Sequence, residues 1–345
     1  MSDSIDLRTD ASTLPTPAIR RALAEAEVGN DDFGEDPTVR KLEETVARLL
    51  GKEAALFVQS GTMANLAAVM AQAEPGETVL VSPSFHIHDH ERDAMHRVAR
   101  CSFELLKDET SAGETRLLVR ECPGARLLCL ENTVNRPGGT VVFPGHIAEL
   151  SAWARERRVR VHLDGARLWN AACALRVSEA EIARPVDTVM VVFTKALAAP
   201  AGAVLAGPRE TIEWARRARW MLGGNWKQGG VAAAGCLAAL ATMRERIPDD
   251  HARARRLAEG LAAIPGITID LARVVTNIVL MRLEDDRVDA ARFTAKVEAG
   301  GARIGRFRAG RVSRLVTHKD IDDDAVDRFV ELAARAVAAA RRSGA

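Results

Sequence analysis

The chain has 345 residues, with 48 Lys or Arg against 47 Asp or Glu, so its formal net charge at pH 7 is +1. This length is sufficient for one large hydrophobic core and a second, smaller lobe. Acidic and basic residues alternate along the chain, which argues against a nucleic-acid-binding surface or a basic membrane-binding patch. The composition therefore predicts a soluble protein of enzyme size.

Cysteine usage and the terminal segment indicate a cytoplasmic location. The five cysteines are scattered and include no C-x-x-C pair, which is typical of reduced thiols. The polar start Met-Ser-Asp-Ser-Ile-Asp lacks the apolar centre of a signal peptide. Residues 229–243 form the longest weakly polar stretch, and they are too few to span a bilayer.

Strands and helices alternate through the first part of the chain. Thr16-Pro17 and Asp36-Pro37 each predict a capped helix start with proline at the first helical position. Apolar residues recur at helical spacing from Val39, and Gly51 can end that helix. Further elements are predicted as strands at 54–58, 78–81, 127–130, 159–163, 188–193 and 203–206, with a helix at 147–158. This alternation predicts an α/β fold whose mostly parallel sheet is covered by helices on both faces.

The order of elements changes after residue 229. Two Ala-rich helices are followed by strand, strand, helix, strand, strand, helix, predicted at 267–271, 278–283, 290–298, 303–307, 312–316 and 323–340. This order predicts a second lobe of α+β type. We therefore expect an N-terminal arm and large domain at 1–245 and a small domain at 246–345.

Two residues near the ends of predicted strands indicate a particular chemistry. Asp164 follows the strand 159–163, and Lys195 follows the apolar run 188–193. The carboxyl ends of parallel strands form the usual site of an open α/β sheet. A lysine that forms a Schiff base and a carboxylate for a pyridinium nitrogen are what pyridoxal phosphate requires. The sequence therefore predicts that this cofactor binds between Asp164 and Lys195.

The Ser60-Gly61-Thr62 turn is a candidate phosphate site. It lies between a predicted strand and a predicted helix start, where free backbone N–H groups and the positive end of the helix dipole favour an anion. Such a turn is also common without any ligand, so by itself it indicates only a strand-to-helix connection. Its position upstream of Asp164 and Lys195 favours the phosphate interpretation.

Several segments together resemble one enzyme family. They occur in the family's order at residues 5–10 (Ile-Asp-Leu-Arg-Thr-Asp), 28–39, 51–55, 60–66 (Ser-Gly-Thr-Met-Ala-Asn-Leu), 130–133, 162–171, 194–207 and 314–318 (Arg-Leu-Val-Thr-His). They resemble the low-specificity L-threonine aldolases, within the β-eliminating lyase branch of fold-type I pyridoxal phosphate enzymes. The resemblance covers nearly the whole chain, and it implies a lyase of amino acid metabolism.

The resemblance implies roles at the cofactor ring. Lys195 is expected to form the Schiff base, and Asp164 to hold the pyridine nitrogen protonated. His86 matches the histidine that stacks on the ring. Glu91 matches a glutamate near both cofactor and substrate. We therefore expect Lys195, His86 and Glu91 to be catalytic.

The resemblance also implies how the two anionic groups are held. The Ser60-Gly61-Thr62 turn is expected to bind the phosphate. Lys227 matches a cation that reaches the phosphate of a neighbouring subunit, in a family that assembles as homotetramers. Thr9, Arg167 and Arg314 match the group around the substrate carboxylate, with Arg167 also near the cofactor. Paired guanidinium groups suit that task because each can grip a carboxylate with two hydrogen bonds.

The chain departs from the family on the substrate side. The family's Glu-Asn-Thr-His-Asn appears here as Glu-Asn-Thr-Val134-Asn135, and valine cannot accept a proton from a β-hydroxyl group. Phe33 replaces a tyrosine, Arg92-Asp93 replaces Gly-Gly, and Thr9-Asp10-Ala11 replaces Ser-Asp-Thr. The base for an aldol cleavage then has to be His86, His88, a water molecule or a phosphate oxygen.

Three activities are compatible with these residues. The whole-chain resemblance favours retro-aldol cleavage of a β-hydroxy-α-amino acid to glycine and an aldehyde. Loss of the histidine leaves open β-elimination, β-replacement or racemisation, none of which needs it. A protein that binds the cofactor without turnover is a third possibility, and the intact Lys195, Asp164, Arg167 and Arg314 argue against it.

The segment His86-Ile-His88-Asp-His90 raises a metal site as a rival. On an extended strand the three histidines share one face, as metal ligands do. On a helix they diverge, which is what the family resemblance implies. We therefore expect no metal, and we expect an amino acid as the small-molecule substrate.

Overall fold

The computed structural model describes residues 4–308 and 311–341. Its strands are β1 (Ile5–Asp6), β2 (Ala54–Val58), β3 (Thr78–Val81), β4 (Ser102–Leu105), β5 (Lys107–Ser111), β6 (Glu114–Leu118), β7 (Ala125–Glu131), β8 (Arg160–Gly165), β9 (Thr188–Val192), β10 (Ala203–Gly207), β11 (Ile267–Thr268), β12 (Ile278–Leu283), β13 (Ala302–Arg303) and β14 (Val312–Val316). Its helices are α1 (Pro17–Ala24), α2 (Pro37–Leu50), α3 (Gly61–Gln72), α4 (His86–Asp89), α5 (Arg92–Ala94), α6 (Pro144–Glu156), α7 (Leu168–Leu175), α8 (Glu179–Ala183), α9 (Arg209–Met221), α10 (Gly230–Met243), α11 (Ile247–Ala262), α12 (Ala290–Ala299) and α13 (Asp323–Ala340).

A seven-stranded sheet forms the centre of the large lobe. Its strand order is β2-β10-β9-β8-β7-β3-β4, and every pairing is parallel except the two made by β10. All five residues of β9 are buried, which explains their continuous apolar character, because helices cover both faces of such a sheet. The predicted α/β fold with a mostly parallel sheet is confirmed.

The register of the sheet brings the chemically important residues to one edge. Glu131 at the end of β7 is paired with Asp164 in β8, and Lys195 follows β9. Parallel strands end on the same side of a sheet, so all three residues lie at its carboxyl edge.

The C-terminal part packs around a hydrophobic core of its own. The antiparallel sheet β11-β12-β14 and helices α11, α12 and α13 supply most of this core. Ile5 and Leu7 of the N-terminal arm join it, because β1 pairs in parallel with β13. The arm therefore crosses from the C-terminal core to the large lobe. The boundary at residue 245 stays a prediction.

Most predicted elements are present, with shifted ends. The predicted helix 147–158 is α6, which is complete before Arg158 takes up a left-handed conformation with φ of 58°. The predicted strand 303–307 is only the short β13. Gly305 follows it, and a Cβ there would lie 2.5 Å from the carbonyl oxygen of Arg314. The hairpin β5–β6 was not predicted, because its first strand, Lys-Asp-Glu-Thr-Ser, has no apolar residue.

The helix starts follow the predicted chemistry. Thr16 accepts a hydrogen bond from the Ile19 N–H, and Asp36 accepts from the N–H groups of Thr38 and Val39. Side-chain caps of this kind pair N–H groups that have no partner within the helix. Across residues 4–308 and 311–341, no helix combines the length and the apolar character that a membrane span requires.

Candidate active site

Lys195 carries an amine that is free to react. Among residues 4–308 and 311–341, its Nζ has no hydrogen-bond or salt-bridge partner. Burial lowers the pKa of Lys195, and the positive charge of Arg167 lowers it further. Both effects favour the neutral amine, which is the nucleophilic form that condenses with an aldehyde.

Asp164 is a buried carboxylate with both oxygens paired. Its side chain is 1% exposed; Oδ2 accepts from Asn65 Nδ2 at 2.9 Å and Oδ1 accepts from the Ala166 N–H at 2.9 Å. Asn65 Nδ2 also donates to Glu91 Oε2 at 3.1 Å, while its Oδ1 lies 3.1 Å from His162 Nε2. Burial lowers the pKa of His162 to about 4, so this ring is neutral and can donate to Asn65. Asn65 thereby orients two carboxylates of the site.

His86 is held by two glutamates. Its Nδ1 lies 3.0 Å from Glu91 Oε1, and its backbone N–H donates to Glu131 Oε2 at 2.5 Å. Burial opposes the positive charge of His86, but the hydrogen bond to Glu91 and the charge of Asp164 outweigh burial and raise its pKa. His86 and Glu91 are therefore in direct contact, and their roles at the cofactor stay predictions.

Glu131 links the His86 segment to the loop after β7. Its second oxygen, Oε1, accepts from the Asn135 N–H at 2.8 Å. Burial raises the pKa of Glu131 to about 7, and the nearby charge of Asp164 adds to this effect. One carboxylate thus fixes the backbone on two sides of the site.

The two arginines meet at one amide oxygen. Arg167 is bound by Asp10 through Nε and Nη2, both at 2.8 Å, and Asn277 Nδ2 donates to the same carboxylate at 3.2 Å. The remaining Arg167 Nη1 lies 3.4 Å from Asn135 Oδ1, to which Arg314 Nη1 also donates at 2.5 Å. We call Arg167, Arg314 and Asn135 the arginine clamp. The two guanidinium groups of the clamp and the carboxylate of Asp10 together carry a formal charge of +1, which suits one substrate carboxylate.

The Ser60-Gly61-Thr62 turn forms the start of α3, as predicted. Ser60 Oγ caps the helix by accepting from the Met63 N–H at 3.2 Å. A Cβ on Gly61 would lie 2.8 Å from Cγ1 of Val192, so β9 leaves room for glycine alone. The first N–H groups of α3 remain available for an anion.

Two predicted residues are engaged elsewhere in this chain. Thr9 Oγ1 accepts from the Ala11 N–H at 3.2 Å and so caps a short turn, whereas its neighbour Asp10 reaches Arg167. Lys227 forms an ion pair with Asp32 and has a side chain that is 65% exposed. Their roles at the substrate and at a neighbouring phosphate stay predictions.

The histidine segment is helical: His86 and His88 lie in α4, and His90 follows its last residue. His88 packs against the ring of Phe103 at 5.6 Å, and His90 pairs with Asp89 at 3.1 Å. In the described part of the chain, no three His, Cys, Asp or Glu side chains are grouped as a metal site would need. Val134 is fully buried in the main core.

Asp10, Asn65, Glu131 and Asn135 were not predicted as site residues. Asp10, Asn65 and Glu131 lie inside segments that carry the family resemblance, which was the available signal, and Asn135 lies two residues after one of these segments. Their partners are remote in the chain, so only the fold reveals their contacts.

Comparison with known proteins identifies the class. A family model described as beta-eliminating lyase matches residues 6–285. Low-specificity L-threonine aldolase 1 of Arabidopsis thaliana is 38% identical over 331 residues, covering 92% of each chain. The low specificity L-threonine aldolase of Escherichia coli K12 is 32% identical over 335 residues, covering 92% of this chain and 94% of the relative.

Solved structures agree on the fold. A putative aromatic amino acid beta-eliminating lyase/threonine aldolase from Exiguobacterium gives a TM-score of 0.79 at 23% identity, covering 94% of this chain and 98% of that one. Serine palmitoyltransferase of Sphingomonas wittichii gives 0.76 at 18% identity, covering 98% and 88%. The fold is thus that of a broad class of α/β enzymes. Within that class, this chain belongs to the beta-eliminating lyase family, which confirms the resemblance.

Proposed function

We propose that this protein is a pyridoxal phosphate-dependent aldolase that cleaves β-hydroxy-α-amino acids of the threonine type to glycine and an aldehyde. The observation that carries the proposal is the unpaired, desolvated amine of Lys195, which lies on the same sheet edge as the buried carboxylate of Asp164. The similarity to L-threonine aldolases over more than nine tenths of the chain supports the reaction.

The residues present fit the cofactor. Lys195 offers the amine for its aldehyde, and the Ser60-Gly61-Thr62 turn offers backbone donors for its phosphate. Asp164 offers a buried carboxylate, which suits a protonated ring nitrogen, and His86 offers a ring to stack. When bound, pyridoxal phosphate supplies an electron sink for the charge that develops at Cα.

The chain's own groups position the substrate. Asn135 Oδ1 accepts hydrogen bonds from both Arg167 and Arg314. The two guanidinium groups therefore direct donors at one position, which an oxygen acceptor of a ligand can share. A substrate carboxylate offers two such oxygens with a full charge, and charge-assisted hydrogen bonds are stronger than neutral ones. We infer that the carboxylate binds the arginine clamp beside Asn135.

The runner-up activity is elimination, replacement or racemisation. Its support is Val134, which is buried and can neither accept a proton nor bind a hydroxyl group. In those reactions Lys195 is the group that removes the proton at Cα. A cofactor-binding protein without turnover would have no use for the arginine clamp.

We also infer a cytoplasmic homotetramer from the family resemblance. Helix α9 supports an assembly, because Trp214, Trp220 and Met221 are 52%, 57% and 71% exposed. Large exposed apolar side chains on one helix are typical of a contact surface.

A substrate panel tests the proposal. The purified protein, supplied with pyridoxal phosphate, is incubated with L-threonine, L-allo-threonine and β-substituted amino acids, and both aldehyde and 2-oxo acid are measured. Acetaldehyde with glycine supports the aldolase, whereas 2-oxo acid with ammonia supports elimination. Lys195→Ala is expected to abolish the absorption band of the bound cofactor, and a wild-type protein that never acquires this band would contradict both activities.

A further inference from the structure

The identity of the base is the open question of the proposed aldol cleavage. A β-hydroxyl proton has to leave as the Cα–Cβ bond breaks, and general bases contribute about 10²–10⁴-fold to such steps. Val134 is 0% exposed and cannot serve. His88 is directed elsewhere, because its ring packs edge-on against the ring of Phe103 with centroids 5.6 Å apart.

A neighbouring histidine, His90, contacts the ring of His86. Its ring lies edge-on to the ring of His86, with centroids 4.7 Å apart and planes inclined by 69°. His86 is the ring expected over the cofactor, and its pKa responds to the charges of Asp164 and Glu131. The side chain of His90 is 42% exposed, so one edge of its imidazole is accessible to a substrate.

His90 also has the partner that a general base needs. Its Nδ1 lies 3.1 Å from Asp89 Oδ2, which is an ion-pair distance, so this carboxylate favours a proton on Nδ1 and leaves Nε2 as the proton acceptor. Burial acts against ionised Asp89, but the hydrogen bond from Arg136 and the charge of His90 outweigh it and lower the pKa of Asp89. The carboxylate is therefore charged and can stabilise an imidazolium.

Arg136 connects this pair to the arginine clamp. It binds both oxygens of Asp89, with Nε at 2.7 Å, and it directly follows Asn135 in the loop after β7. Asn135 in turn contacts Arg314. The ring of His90 thus contacts His86, and its neighbour Asp89 is joined through Arg136 to the loop that carries Asn135 of the clamp.

We propose that His90 is the general base of the aldol cleavage, an inference that rests on the proposed function. Nε2 of His90 takes the β-hydroxyl proton, and the O–H electron pair forms the aldehyde C=O. The Cα–Cβ pair stays with Cα, which takes a proton from water to give glycine. The imidazolium then returns its proton to water, so the reaction is balanced without any oxidant or reductant.

The test compares two reactions of the same loaded enzyme. Cleavage of L-threonine and L-allo-threonine needs a base at the β-hydroxyl group, whereas exchange of the glycine α-proton in D2O does not. His90→Gln is expected to lower kcat for cleavage by about 100-fold or more. Its KM and its rate of glycine exchange are expected to stay within about threefold of wild type, because neither depends on a base at the β-hydroxyl group. A threefold change corresponds to less than ~1 kcal/mol.

His88→Gln is the matched control, since it removes an imidazole two positions away that faces Phe103. It should leave both reactions unchanged. The absorption spectrum of the bound cofactor, recorded for each variant, shows whether the ring environment is intact.

Each outcome is informative. Cleavage by His90→Gln within about threefold of wild type overturns the inference alone, because the expected loss is far larger. Equal losses of cleavage and exchange, or an altered cofactor spectrum, overturn it too by making His90 a structural support of His86. A wild-type enzyme that exchanges glycine protons but releases no acetaldehyde overturns the proposed function, and this inference with it.

Discussion

The ion pair between Asp10 and Arg167 permits a quantitative prediction. Asp10 is 0% exposed and its partner 4%, and two hydrogen bonds of 2.8 Å join them. Asp10→Asn keeps the shape but leaves the guanidinium charge uncompensated in the interior. Removal of one partner from a buried pair costs about 3–5 kcal/mol.

This cost can be expressed as a thermal shift. An unfolding entropy of about 2.1 cal/mol/K per residue amounts to roughly 0.7 kcal/mol/K for 345 residues. The Asp10→Asn variant should therefore melt about 4–7 °C below wild type in scanning calorimetry at pH 7. Burial opposes ionised Asp10, but Arg167 holds its pKa well below 3.8, so its contribution to stability is complete at pH 7 and is lost only in strong acid.

A matched pair on the surface provides the control. Asp327 and Arg256 also form two hydrogen bonds, but their side chains are 50% and 52% exposed. An exposed pair contributes about 0–1 kcal/mol, so Asp327→Asn should shift the melting temperature by no more than about 1 °C. Equal shifts for Asp10→Asn and Asp327→Asn at the same protein concentration would refute the reasoning. A second expected effect of Asp10→Asn is a raised KM, because Arg167 loses the contact that orients it.

Three further predictions concern the cofactor side. Asn65→Leu removes a donor to the buried Asp164 carboxylate, which should weaken cofactor binding by about 1–3 kcal/mol, or roughly 5–150-fold in Kd by absorbance titration. Gly61→Ala should weaken binding as well because its Cβ meets Val192, and Val192→Ala should recover part of the loss; no recovery would contradict the steric explanation. The folded state raises the pKa of Glu131 from 4.5 to about 7, so ionisation costs stability as pH rises through that window. Glu131→Gln should flatten this fall in urea denaturation, and an unchanged slope would contradict it.

Much of the fold could be predicted because its signals are local. Thr16 and Asp36 cap helices through their own neighbours, and the buried β9 is apolar throughout. The hairpin β5–β6 shows where this fails. Its first strand is polar, and only contacts supplied by the rest of the chain stabilise it as a strand.

The site was predicted in part, for a similar reason. Lys195 and Asp164 could be located because they lie at or just beyond the carboxyl ends of neighbouring strands of one parallel sheet. Arg167 and Arg314 were expected around the substrate carboxylate, and the structure adds their partners within the chain. Asp10 binds Arg167 from the N-terminal arm, 157 positions away, and no local pattern reports such a contact.

The sequence by itself determined the chemistry at the cofactor, because lysine and aspartate at the ends of adjacent parallel strands have few other uses together. It also determined the family, since the motifs extend over the whole chain in one order. Only the tertiary structure decided which groups are available. It buried Val134, turned His88 towards Phe103, and brought His90 against His86 with Asp89 behind it. The physical reason is that reactivity depends on desolvation, hydrogen-bond partners and distance, and these are set by residues far apart in the chain.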